Sequence, residues 1–199
     1  MIAEPLEATV QVELPRHRFT VAEFARMMEM AVLDTEERVE LVWGEVVKMS
    51  PINIAHTSTL KRLIHLLSTV LAGRMILSVQ DPIQLFDDSL PQPDIAVLKV
   101  QDDFYSHRNP NPDDVLLLIE VSDTSLPYDR KVKSLLYGSA GIIDYWIVNL
   151  VNRQIEVHRD PQPDGYRMTI RYTAGESLSC LAFPDIALKV DDIMAPPSE

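Results

Sequence analysis

Apolar residues occupy nearly every position of Val115-Leu116-Leu117-Leu118-Ile119-Glu120-Val121 and of Tyr145-Trp146-Ile147-Val148. Runs this short and this continuous predict strands covered on both faces, and core rather than interface. The segment 91–98, PQPDIAVL, predicts a further strand with its prolines at the entry. The spacing changes over 55–73, where Leu60, Leu63, Ile64, Leu67 and Leu71 recur at helical intervals and Gly73 suits the stop. Thr20 with Glu23 three residues later reads as a capping box for a short helix through Met30. Residues 38–49 predict a β-hairpin turning at Trp43-Gly44. Short strands are expected at 75–80 and 83–86, and a helix at 129–140 that stops at Gly138 or Gly141. A hairpin is expected from 153–158 and 166–173, and a final strand and turn within 184–194. Strand, strand, helix, strand through the middle predicts an α/β (α+β) core with a mixed central sheet.

With 199 residues, 46% of them hydrophobic, the chain can build one well-buried domain. The expected division is an arm over 1–18, a single domain over 19–194 and a tail over 195–199. No run is long and apolar enough to predict a membrane span. The acidic N-terminus lacks the basic-then-apolar order of a secretory signal. Cys180 is alone, which excludes an internal disulfide and any cysteine-rich zinc site and fits a cytoplasmic protein. The net charge of −12 disfavours a protein that coats nucleic acid nonspecifically. Residues 81–129 hold eleven acids and only Lys99 and Arg108 as bases. A phosphate substrate there calls for cations, and divalent metals supply part of that need.

Glu120 stands within the most apolar run, and Asp94 enters another predicted strand. A buried carboxylate must be paired, protonated or metal-bound. If the two strands are neighbours, the two acids suit a hard cation such as Mg2+, with Mn2+ as a substitute and the Val121 carbonyl as a further ligand. On the following helix Asp129, Lys133 and Tyr137 fall at i, i+4 and i+8 and share a face. Lys133 beside two acids could orient an attacking water or stabilise developing charge; spacing alone favours an ordinary surface lysine paired with Asp129. Glu40 is a further candidate, although alternation, which places Glu40 and Val42 on one face, favours its facing water. His56 can ligate, contact phosphate or cap the long helix, and Gln84 can be a polar member of the site or simply exposed. A paired-carboxylate glycosidase fits the accompanying lysine less well. The chain has no phosphate-binding glycine loop, no G-x-S-x-G elbow and no H-x-x-x-H spacing.

The strings PQPDIAVL and LLLIEVSDTSLPYDRKVKSLLYGSAGIIDYWIVN, with RVELVWGEVVKMSP and His56 upstream, resemble a large bacterial family of restriction-endonuclease-like proteins in the PD-(D/E)XK nuclease superfamily. The resemblance covers about 18–190. It implies a mixed central sheet flanked by helices, and a magnesium site built on Asp94 and Glu120. The superfamily places a lysine two residues after the second acid, where this chain has Ser122. The resemblance implies that Lys133 on the next helix takes that part, with Glu40, His56, Asp129 and Tyr137 as neighbours.

The expected function is a Mg2+-dependent endonuclease acting on DNA. Asp94 and Glu120 bind the metal, Lys133 positions the nucleophile or stabilises charge, and Glu40 assists a second metal or its waters. A homodimer would suit duplex cleavage. The alternative is a nuclease-fold module without catalysis that regulates or binds another protein, for which the acidic surface speaks.

Overall fold

The computed structural model describes residues 15–33 and 37–194. In chain order the elements are α1 (Val21–Glu29), β1 (Val39–Val42), β2 (Glu45–Lys48), α2 (Ile54–Val70), β3 (Ile76–Val79), β4 (Ile95–Leu98) and β5 (Val115–Ser122). Then come α3 (Leu126–Tyr128), a π turn over Asp129–Lys133, α4 (Ser134–Ser139), β6 (Asp144–Asn149), β7 (Gln154–Gln162) and β8 (Gly165–Tyr172). β9 (Ser177–Leu178), β10 (Leu188–Lys189) and α5 (Val190–Ile193) complete them.

Six strands form one sheet in the order β3-β4-β5-β6-β7-β8. β5 and β6 run parallel and every other neighbouring pair is antiparallel, so the sheet is mixed as expected. The apolar runs lie at its centre: Leu117, Leu118, Ile119 and all of Tyr145–Val148 are inaccessible to solvent. One face packs against Leu60, Leu63, Leu67 and Leu71 of α2 and its C-terminal cap, with Val190 and Ile193 of α5. The other packs against Leu136 and Tyr137 of α4 together with Leu126. Covering both faces is why β5 needs no polar alternation.

Local signals set several boundaries. The Thr20 hydroxyl accepts from the Glu23 N–H while Glu23 accepts from the Thr20 N–H, closing the capping box. Trp43 and Gly44 both take positive φ, 48° and 74°, as a two-residue hairpin turn of the primed type requires. Of the arm expected over 1–18, residues 1–14 lie outside the described range, as does the tail 195–199. Residues 15–18 run beside this turn, where Arg18 donates to the Trp43 carbonyl.

Two expectations need correction. No strand forms over 83–86: beyond an isolated bridge between Phe86 and Ser89, the chain after Pro82 turns tightly, and the Leu85 N–H bonds to the Ser89 carbonyl. The helix expected at 129–140 begins earlier, at Leu126, and contains the π turn. No helix among the described residues is long and apolar enough to cross a membrane.

Candidate active site

A cleft of about 230 Å³ opens where β4 and β5 meet the β1–β2 hairpin and the π turn. Antiparallel pairing of Ile95 with Ile119 sets Asp94 and Glu120 side by side at its floor. Their bonds are reciprocal. Glu120 Oε2 accepts the Asp94 N–H at 3.1 Å, and Asp94 Oδ2 accepts the Val121 N–H at 2.9 Å. Asp94 Oδ1 contacts His56 Nε2 at 3.1 Å and accepts from Gln80 at 3.0 Å. Burial pushes the Asp94 carboxyl up, but the bonds from His56, Gln80 and Val121 outweigh it and hold it below the ordinary range. His56 is raised on balance: burial disfavours its charge, and Asp94 and the Val121 carbonyl more than compensate.

Lys133 enters from the π turn and is 2% exposed. Its ammonium lies 2.5 Å from Glu40 Oε2, 3.3 Å from Glu120 Oε1 and 3.4 Å from the Tyr137 hydroxyl. Burial works against that charge, but Glu120 and Glu40 hold it above the usual lysine range. Burial pushes Glu120 up to about 8 against the opposing pull of Lys133. The Tyr137 hydroxyl donates to Glu120 Oε1 at 2.8 Å. Asp129, also raised by burial, accepts from the Ser122 hydroxyl at 2.6 Å and the Ser125 hydroxyl at 2.7 Å.

Glu40 does not face water. All four residues of β1 are buried, and Glu40 accepts from the Gln92 N–H and the Tyr128 hydroxyl, each at 3.0 Å, as well as from Lys133. Tertiary cover from Leu90 and the π turn overrides the alternation of a two-stranded hairpin. Gln84 is the exception among the expected neighbours. It does not line the cleft, and its backbone N–H bonds to the Pro110 carbonyl because 82–86 turns away. Gln80 makes the amide contact to Asp94 instead, from a positive φ of 56° after β3. Gln80, Gln92 and Tyr128 carry no sequence signal: the two glutamines lie in turns or loops, and Tyr128 ends the short helix α3, which the sequence does not announce.

The π turn inserts one residue into the helical repeat, a feature that concentrates at functional sites. It keeps Asp129, Lys133 and Tyr137 turned toward β5. Hydroxyl, amide, ammonium and carboxylate groups thus converge in a half-enclosed cleft, an arrangement suited to acid–base and electrostatic chemistry on a small polar group.

A mixed sheet carrying two acids at the β4–β5 junction and a buried lysine from the next helix defines a protein with the restriction-endonuclease-like architecture. The chain belongs to the Uma2 family, described as "putative restriction endonuclease", whose profile matches residues 21–191. Among solved structures it is similar to a "putative nuclease belonging to DUF820" from Anabaena variabilis ATCC 29413. That likeness has a TM-score of 0.66 at 15% identity and covers 88% of this chain and 97% of the other; at this identity it shows the fold. No curated protein matches the chain.

Proposed function

We propose that the chain is a metal-dependent endonuclease that hydrolyses phosphodiester bonds of DNA. The observation that carries the reading is the reciprocal bonding of Asp94 and Glu120 at the cleft floor with the Lys133 ammonium 3.3 Å from Glu120.

The donor set suits a hard cation. Asp94 and Glu120 offer carboxylate oxygens, with the Val121 carbonyl beside them, and no group of three or more His, Cys, Asp or Glu able to hold a metal occurs among the described residues. Magnesium commonly takes one or two carboxylates and completes its shell with water and substrate phosphate, so a protein-only cage is not required. Bound there, Mg2+ or Mn2+ would supply Lewis acidity and a water of lowered pKa. Lys133 would hold the attacking water or balance charge on the phosphoryl oxygens. Glu40 fixes the Lys133 ammonium, and Tyr137 orients Glu120.

The test incubates wild type, Asp94→Asn and Glu120→Gln with circular single-stranded DNA and supercoiled plasmid, with Mg2+ or Mn2+. Metal-dependent cleavage of either circle by wild type alone supports the reading, whereas equal activity in all three proteins defeats the site.

One observation favours a second reading, a nuclease-fold module without catalysis: every oxygen of Asp94 and Glu120 already accepts a bond from the protein. Calorimetry that finds no saturable Mg2+ or Mn2+ binding would decide for it.

A further inference from the structure

Apart from Glu40, the hairpin wall of the cleft carries residues that the hydrolytic groups do not use. In the β1–β2 register Glu40 stands opposite Val47, and the Met49 N–H bonds to the Arg38 carbonyl two pairs further on. Residues two apart on a strand share a face. Arg38, Glu40, Val47 and Met49 therefore look into the cleft together, while Val39 and Leu41 pack on Phe24 and Leu90 behind. Pro51 and Ile52 extend this wall to the mouth.

Arg38 is the uncommitted cation of this wall. Lys48 is paired with Glu37, and Lys133 with Glu40 and Glu120. The half-buried Arg38 side chain has no hydrogen bond or ion pair among the described residues, yet its charge reaches the His56 ring. A guanidinium with no partner among the described residues, beside an apolar shelf, suits a phosphate joined to a flat ring.

The cleft also limits the form of that ligand. About 230 Å³ is below the usual range of small-molecule pockets. Five carboxylates, Glu40, Asp94, Glu120, Asp123 and Asp129, line it, in a chain of net charge −12. A duplex held over many phosphates needs a basic surface that this lining does not offer. Only an unpaired nucleotide exposes a ring face to Val47, Met49 and Ile52.

We infer that the hairpin wall is a nucleotide subsite, with Arg38 on a phosphate and the shelf under an unpaired base, so that the preferred substrate is single-stranded DNA. This rests on the nuclease reading above.

The test measures anisotropy of a labelled single strand and of its duplex on the Glu120→Gln protein with Mg2+, alone and combined with Arg38→Ala, Arg38→Lys or Ile52→Asp. Cleavage of both DNAs by the wild type is followed in parallel. The expected result is single-strand binding at least about tenfold tighter than duplex binding. Arg38→Ala and Ile52→Asp should each weaken it about tenfold, and Arg38→Lys should recover part. Both substituted side chains reach solvent, and circular dichroism checks that the variants fold. Equal or tighter duplex binding, or an Arg38→Ala variant that binds like its parent, would overturn the subsite. Metal-dependent cleavage confined to duplex would leave the nuclease reading standing and the subsite fallen. Absence of both binding and cleavage for both DNAs would remove the two together.

Discussion

The Ser122 hydroxyl donates to the Asp129 carboxylate at 2.6 Å. This bond ties the end of β5, one residue past Val121, to the start of the π turn that ends at Lys133. Ser122 is fully buried, and its hydroxyl anchors the turn that delivers Lys133.

Replacing that anchor should therefore act on Lys133 at a distance. Ser122→Ala leaves Asp129 with the Ser125 hydroxyl alone at a buried carboxylate. The expected cost is about 1 to 3 kcal/mol in urea unfolding, with a fall in metal-dependent cleavage. A variant as stable and as active as the parent would show that the bond positions nothing.

Lys133 and Glu40, 93 positions apart, form a buried pair at 2.5 Å. Removing the lysine strands two acids, so Lys133→Met should cost about 3 to 5 kcal/mol. Adding Glu40→Gln removes one stranded charge and should restore part of that loss. The two substitutions should be coupled by at least about 1 kcal/mol in a double-mutant cycle followed by urea denaturation. Simple additivity would mean that the pair is not a unit.

His158 sits in β7 against the rings of Tyr145 and Tyr166, its Nδ1 beside the Thr169 hydroxyl and its Nε2 without a hydrogen-bond partner among the described residues. Burial lowers it from 6.5 to about 4. The unfolded chain then binds the proton more readily than the folded one, so stability is fully present above about pH 6.5 and falls as pH drops toward 4. A shift of this size corresponds to about 3 kcal/mol. His158→Phe, which keeps the ring, should flatten this part of the pH–stability profile, measured by denaturant titration at pH 7 and pH 4.5. An unchanged slope would place the acid sensitivity elsewhere.

Gly138 lies in α4 against the backbone of Gly165 at the start of β8, and a Cβ there would meet the Gly165 carbonyl well inside 3.0 Å. Alanine normally favours a helix over glycine by about 0.5 to 1 kcal/mol. At this position the sign should reverse, with Gly138→Ala costing about 1 to 3 kcal/mol in thermal or urea unfolding. A stabilised variant would mean that α4 and β8 can separate without loss.

The parts of this protein that read directly from its sequence are those governed by near neighbours. The Thr20–Glu23 cap, the Trp43-Gly44 turn and the Leu60–Leu71 stripe each depend on residues within a few positions. The continuous apolar runs of β5 and β6 announce strands buried on both faces, and this also makes Glu120 conspicuous as a carboxylate that needs partners. The partners themselves lie far along the chain. Alternation favours solvent for Glu40, and only packing of the hairpin against Leu90, Tyr128 and Lys133 turns it inward. Gln84 and Gln80 differ in role because the chain after Pro82 turns away while Gln80 adopts a positive φ beside Asp94. Arg38 has no sequence mark, yet shares a hairpin face with Glu40. Periodicity records which side of an element is apolar. Which buried sides meet, and which polar groups are thereby forced together, is decided by long-range packing, because a charge becomes costly enough to select its partners only once water has been excluded.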